Sequence, residues 1–375
     1  MRVTITRPAR ARGRGPKPPA TASAEARNPH AAVRRTLLAW FRAHARALPW
    51  RGTRDPYAVW VSEAMLQQTQ IATVTPFYQR FLEAFPNVTA LAEAPLEQVL
   101  QLWSGLGYYR RARRLHEAAK KVVADFAGQL PADYASLRTL PGIGDYTARA
   151  VLSIAFNRAY AVLEGNVARV VARLFLLRGN LHQRLFRQRV ETELADLLSS
   201  RSPGDFNQAL MELGQTVCLP RGPRCPACPI APWCGGFRSG HPETLPLVRP
   251  RRAAESHCLA VALLRRGTRV AMTRGLGDGL LDDLWNFPAA FGRTPAAALE
   301  ALQAKLRLLT SVPFSMSEPA AEFRHGITYR SISGRVYPVV TPRAMRHRSL
   351  RWFELQQLPQ AAISQLTRKI AQKIA

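Results

Sequence analysis

The chain has 375 residues, with 53 Lys and Arg against 25 Asp and Glu, for a formal charge of +28. Such a balance attracts polyanions, nucleic acid first among them, although only six of the cations are Lys and an Arg- and Ala-rich composition also arises from a GC-rich genome. No apolar run approaches the roughly 20 residues of a membrane span, and the first residues lack the apolar core of a secretory signal, so the expectation is a soluble cytoplasmic protein with no membrane partner.

Residues 1–29 are rich in Arg, Pro, Ala and Thr without apolar periodicity, and read as a disordered basic arm or the product of a mistaken start codon. From 30 to 217 helical patterns recur between Gly and Pro breaks, as in Phe81 to Ala84 before Pro86 and Leu115 to Phe126 before Gly128, which predicts a mainly α domain. Within it, Glu63 shares a helix face with Val59, Trp60 and Leu66. Desolvation there would raise its pKa and keep it protonated near neutral pH, as an acid that protonates a leaving group requires. Further on, Leu140-Pro141-Gly142-Ile143-Gly144-Asp145-Tyr146-Thr147-Ala148 runs into an apolar helix through Phe156. Two glycines opening a helix expose backbone N–H groups to a phosphate, so 140–156 looks like a helix-hairpin-helix, a turn used only for packing being the plainer alternative.

Four of the five cysteines, Cys218, Cys225, Cys228 and Cys234, are separated by six, two and five residues. Such density marks a metal site in a reducing compartment, with a structural zinc and an iron–sulfur cluster as the competing readings. Residues 235–254, with Pro242, Pro246, Pro250 and several Arg, predict an extended linker. A mixed α and β domain follows over 255–375. His257 to Leu264 and Thr268 to Thr273 read as a hairpin, Ile327 to Val340 has strand character, and Ala298 to Leu309 and Ile363 to Ile374 read as helices.

The Leu48-Pro49-Trp50-Arg51 segment, the Glu63 helix with Gln67-Gln68-Thr69-Gln70, Trp103 to Tyr109, the Gly142 hairpin, Gly165 to Arg169 and the cysteine loop stand in an order that resembles the MutY family of adenine DNA glycosylases. These belong to the endonuclease III-like helix-hairpin-helix superfamily, and the resemblance covers roughly residues 36–236. It implies a monomeric bacterial repair enzyme that flips and removes adenine mispaired with 8-oxoguanine or guanine in double-stranded DNA, and a [4Fe–4S] cluster on Cys218, Cys225, Cys228 and Cys234. By the same likeness Glu63 protonates N7 of adenine, Tyr146 and Asn166 complete the catalytic set, and Arg51, Gln68, Thr69, Leu106, Tyr108, Gly142 and Gly144 contact DNA. Tyr146 stands where relatives that cut the backbone carry a Schiff-base Lys, which implies a monofunctional enzyme.

Two departures stand out. Glu164 replaces the family Asp that stabilises the oxocarbenium-like sugar, which keeps the charge and adds a methylene. The C-terminal domain resembles the MutT-like (Nudix-like) domain of the family through Leu284-Trp285-Asn286-Phe287-Pro288, but Phe323-Arg324-His325 replaces the Phe-Ser-His loop that probes 8-oxoguanine. It also lacks the Glu-rich helix that would hold magnesium for nucleotide hydrolysis. A glycosylase for thymine opposite guanine, or a lesion-binding protein with weakened catalysis, are the alternatives.

Overall fold

The computed structural model describes residues 29–248, 253–276, 281–310, 312–327, 329–342 and 347–374. The arm expected over 1–29 lies outside them, apart from Pro29 at the start of the first helix. The helices are α1 (Pro29–His44), α2 (Pro56–Leu66), α3 (Ile71–Ala84), α4 (Val88–Glu93), α5 (Leu96–Trp103), α6 (Arg110–Phe126), α7 (Tyr134–Arg138), α8 (Asp145–Ile154), α9 (Gly165–Leu174), α10 (Arg184–Leu197), α11 (Pro203–Thr216), α12 (Gly235–Arg238), α13 (Pro295–Leu309) and α14 (Gln365–Ile374). The strands are β1 (Glu255–Arg266), β2 (Arg269–Arg274), β3 (Trp285–Asn286), β4 (Ala289–Gly292), β5 (Ser315–Met316), β6 (Ala321–Ile327), β7 (Arg330–Val340) and β8 (Arg351–Glu354). Among the described residues no helix is long and apolar enough to cross a membrane.

The chain divides into two compact units that do not follow chain order: residues up to Ala47 with Asp145–Arg249, and Leu48–Gly144 with Pro250–Ala375. In the first, α1 and α8 to α12 enclose a core that includes Leu37, Val167, Val171, Phe206 and Leu213. Helices α8 and α11 meet at Gly204, where a Cβ would come within 2.6 Å of the Ser153 carbonyl oxygen. The fully buried Asn207 donates to Ser153 Oγ and the Tyr160 carbonyl and accepts from the Val162 N–H, so this polar group inside the core is satisfied. Part of the expected linker belongs to this unit. Gly236 of α12 lies so close to α9 that a Cβ would meet the Arg173 carbonyl oxygen at 2.9 Å, and Leu245 is buried. The Leu247 N–H bonds the Gly179 carbonyl at 2.8 Å. The prolines that suggested an extended chain are accommodated because an apolar residue, Leu245, anchors the segment from within it.

In the second unit, α2 begins where Asp55 caps the N–H groups of Tyr57 and Ala58 and Pro56 fills the first turn. Every residue from Tyr57 to Met65 is buried, the pattern of a helix surrounded by protein. The sheet runs β3-β2-β1-β7-β5, with β4 on β1, β6 on β7 and β8 on β2. Strands β1 and β7 pair in parallel from Glu255 with Arg330 to Leu264 with Val339. The expected hairpin forms as β1 and β2, joined by Gly267-Thr268 with Gly267 at φ +57°. The strand run expected over 327–340 is the end of β6 and all of β7, antiparallel to each other. One face of the sheet is covered by α13, whose Ala298, Leu302, Leu306 and Leu309 pack on Ala260, Ala262, Leu264 and Tyr337.

Candidate active site and cluster loop

Glu63 lies toward the end of α2 and is only 6% exposed, flanked by the buried Val59 and Trp60. What holds the end of its helix is Arg111. Its Nη1 donates to the carbonyls of Ala64 (2.9 Å), Met65 (2.7 Å) and Gln67 (2.5 Å), and its Nη2 to Thr69 Oγ1 (3.0 Å) and the Gly107 carbonyl (3.1 Å). Carbonyls at a helix C-terminus have no partner within the helix, and a guanidinium is suited to them by charge and by its fork of donors. Burial pulls the Arg111 pKa down to about 10, which leaves it charged at neutral pH. It also stacks over the rings of Trp103 and Tyr108, 5.4 and 5.3 Å from their centroids.

One half-buried guanidinium therefore joins the helix of Glu63 to two turns, 67–70 and 105–109. Four arginines, Arg110, Arg111, Arg113 and Arg114, follow the second turn at the start of α6. Arg111 makes the bonds just described, Arg113 pairs with Asp283, and Arg114 backs the glycine hairpin; Arg110 is exposed. From the two turns, Gln68 and Tyr108 project at positive φ, +57° and +50°, conformations that cost a non-glycine residue about 1–3 kcal/mol and mark constrained positions. Tyr108 is 44% exposed, whereas Leu106 is 5% exposed and packs inward, so of this pair the tyrosine is the one that reaches outward. Arg51 is half-buried just before α2.

The hairpin leaves Gly142 and Gly144 exposed while Ile143 between them is buried. Gly142 has φ +80°, and a Cβ on it would meet Arg114 Cβ at 2.8 Å, so a side chain is excluded twice over. The Arg138 Nη1 group donates to the Ile143 carbonyl at 3.1 Å and fixes the turn. Tyr146 follows, half-buried in the first turn of α8.

Glu164 caps α9. Its Oε1 accepts from the Val167 N–H at 3.0 Å and its Oε2 from Asn166 Nδ2 at 3.0 Å. Arg169 Nη2 then donates to Asn166 Oδ1 (2.8 Å) and to the Gly214 carbonyl (2.7 Å), and its Nε to the Cys218 carbonyl (2.8 Å). One turn on, the fully buried Arg173 donates to the carbonyls of Leu219, Pro220 and Leu245 and approaches Cys218 Sγ at 3.4 Å. Helix α9 thus runs a continuous polar line from the Glu164 carboxylate to the cysteine loop. Arg173 is absent from the sequence-based candidates. The signal that would have found it is an arginine in line with Asn166 and Arg169 at helical spacing, within an otherwise apolar helix.

Residues 61–195 match the model of the HhH-GPD superfamily of base excision DNA repair proteins. The human adenine DNA glycosylase is 34% identical over 90% of this chain and 73% of its own length, so the likeness runs well into the C-terminal sheet domain. The chain belongs to the adenine DNA glycosylase family. Its Mycobacterium tuberculosis relative is 41% identical over 56% of this chain and 68% of that protein. Among solved structures, a thermostable thymine-DNA glycosylase superposes with a TM-score of 0.51 at 28% identity, covering 97% of that chain but 56% of this one.

The four cysteines are half-buried between α11 and α12, and the loop is rigidified by Arg173. Among the described residues no three His, Cys, Asp or Glu are gathered around a single-ion site. The donor set itself fits a cluster. Burial pushes the Cys228 thiol up to about 12, with the neighbouring Cys218, Cys234 and Cys225 adding to it, so the thiol is neutral at neutral pH and would give up its proton on binding a metal centre. Arg221 and Arg224 stand exposed on the same loop.

In the family's C-terminal position, Phe323-Arg324-His325 lies within β6. Phe323 is 4% exposed and its ring covers Gly334, where a Cβ would come within 2.0 Å of it. It is a core residue, and the expectation that it meets DNA directly is not met in this geometry. Alternation along the strand turns Arg324 outward instead. Burial, with Lys369 adding to it, lowers the pKa of the half-buried His325 and favours the neutral ring.

Proposed function

We propose that this protein removes adenine mispaired with 8-oxoguanine or guanine in duplex DNA by hydrolysing the N-glycosidic bond after flipping the nucleotide. The observation that carries the reading is the buried carboxyl of Glu63 on a helix fixed at its end by Arg111, in a chain of this family. A carboxylic acid at this place can deliver a proton to N7 of the base as the bond to the sugar weakens. Glu164, held by the Val167 N–H and Asn166, supplies negative charge for the oxocarbenium-like sugar. Tyr146 positions the acid. The exposed amides at Gly142 and Gly144 donate to a backbone phosphate, Gln68 and Tyr108 enter the stack with Leu106 backing the turn, Thr69 contacts the 8-oxoguanine, and Arg51, Arg324 and His325 complete the DNA-facing set.

Cys218, Cys225, Cys228 and Cys234 would hold a [4Fe–4S] cluster. When bound it would hold together the loop on which Arg221 and Arg224 face phosphates. A thymine glycosylase remains the competing enzyme class, but the thymine-DNA glycosylase structure is spanned by little more than half of this chain, whereas the adenine relatives extend into the sheet domain. The deciding experiment is single-turnover cleavage of a duplex with one adenine opposite 8-oxoguanine. Strand breaks that appear only after alkali are expected, with no borohydride-trapped crosslink because Tyr146 forms no Schiff base. Binding without base release would overturn the proposal.

A further inference from the structure

The Leu284-Trp285-Asn286-Phe287-Pro288 motif has no part in the chemistry above, yet it lies at the centre of a polar network within the second unit. Asn286, 1% exposed, accepts from Ser364 Oγ (3.1 Å) and Thr367 Oγ1 (2.9 Å), and the Trp285 N–H bonds the Ala362 carbonyl (2.9 Å). The strand motif thereby fixes the segment Ile363–Arg368 at the start of α14. That segment grips the end of α5. Ser104 Oγ donates to the Ile363 carbonyl at 2.7 Å in a buried bond, and accepts from Arg368 Nη2 at 2.8 Å. Gln365 Nε2 reaches the Gly105 carbonyl at 3.4 Å. At the other end of α5, Trp285 Nε1 donates to Glu97 at 2.8 Å, while Arg274 and Arg351 pair with the same carboxylate.

We infer that the C-terminal domain clamps α5 at Glu97 and Ser104, and thereby sets the geometry of the Gly105–Tyr109 turn that carries Tyr108. The turn is held by its own bonds, Trp103 Nε1 to the Gly107 carbonyl and the Gly105 N–H to the Tyr109 hydroxyl, and from outside as well. Gly105 at φ +119°, Gly107 at +73° and Tyr108 at +50° place three positive-φ residues within four positions, a backbone whose one non-glycine member is held in a costly conformation. Arg111 fixes the turn from the side of α2, and Ser104 with Arg368 fixes it from the side of the C-terminal domain. The consequence is that the C-terminal domain contributes to base flipping through a protein contact as well as through DNA, with Ser104, Trp285 and Arg368 as positioning residues. This rests on the reading of Tyr108 as a residue that enters the stack.

The test uses the full-length, iron-loaded protein and a duplex with 2-aminopurine beside the target adenine, whose fluorescence rises on unstacking. Ser104→Ala and Arg368→Leu are expected to reduce that rise and to slow single-turnover release at saturating enzyme by about tenfold to hundredfold, the cost of small misplacements. Thermal unfolding should drop modestly, as loss of a buried hydrogen bond requires, while cluster absorbance and two-state unfolding stay intact, and Ser104→Thr, which keeps the hydroxyl, should restore fluorescence rise and release rate. Tyr108→Ala serves as the reference. If it abolishes the rise while Ser104→Ala and Arg368→Leu behave as wild type, the clamp is refuted and the Tyr108 reading stands. If Tyr108→Ala also leaves the rise intact, the reading of the turn fails and the clamp falls with it.

Discussion

Two carboxylates on this chain are treated in opposite ways by their surroundings. Glu63 is withdrawn from water among apolar side chains, whereas Glu164 caps a helix N-terminus and accepts from the Val167 N–H and the Asn166 side chain. Glu63→Gln should lower single-turnover adenine release by about 10²–10⁴-fold, the usual worth of a general acid, while a gel-shift affinity for the mispaired duplex stays within a few-fold. At Glu164 the charge and the cap can be separated. Gln keeps an oxygen for the Val167 N–H but loses the charge, so Glu164→Gln should cost about 10²-fold or more, whereas Glu164→Asp, still an N-cap residue, should stay within about tenfold of the parent. Full activity in Glu164→Gln would remove the carboxylate from the mechanism.

Close helix packing transmits these roles. Helices α9 and α11 approach at Gly214, where an added Cβ would lie 2.7 Å from Asn166 Cβ and 3.1 Å from its carbonyl oxygen. Neither contact is with a flexible side-chain tip, so Gly214→Ala must push the start of α9 and the Asn166–Glu164 pair. Destabilisation of about 1–3 kcal/mol is expected in chemical unfolding, together with slower base release. Helix α6 offers a different probe in His116, 3% exposed, with Nε2 bonded to the Ala94 carbonyl at 2.9 Å. Burial lowers its pKa, with Lys120 adding to the shift, so the folded state favours the neutral ring. Its contribution to stability is therefore complete above the unfolded imidazole pKa of about 6.5 and is lost as pH falls through the lower folded value. Urea midpoints measured from neutral to acid pH should fall less steeply in His116→Gln, which does not titrate; an identical slope would show that other groups dominate.

With a formal charge of +28, the protein as a unit should bind duplex DNA largely through phosphate neutralisation. Non-specific affinity should fall by about 10³–10⁵ between roughly 50 and 200 mM salt if six to ten phosphates are contacted, as a fluorescence titration across salt would report. A shallow slope would mean that the arginines are mostly internal, as Arg111 and Arg173 already are. The division of the chain into two units bears on the same point. Residues 48–144, with Glu63 and the two turns, cluster with the C-terminal sheet domain, while Tyr146, Glu164 and the cysteine loop belong to the other unit.

Helical periodicity, the hairpin at Gly267 and the mixed C-terminal domain were legible from the order of residues, because each depends on neighbours a few positions apart. The same holds for the dense cysteine loop and the glycine pair at 142 and 144, whose spacing is itself the constraint. Charge and exposure were not legible. Arg110 and Arg111 are adjacent and chemically identical, yet one faces solvent and the other caps α2 from 44 to 47 residues away. Phe323 occupies a motif position but fills the space over Gly334, and the Trp285 motif meets Glu97 across 188 residues of chain. A long side chain's partner is fixed by which unsatisfied donors, carboxylates or carbonyls the assembled fold brings within about 3 Å, and that proximity exists only once the distant segments have packed.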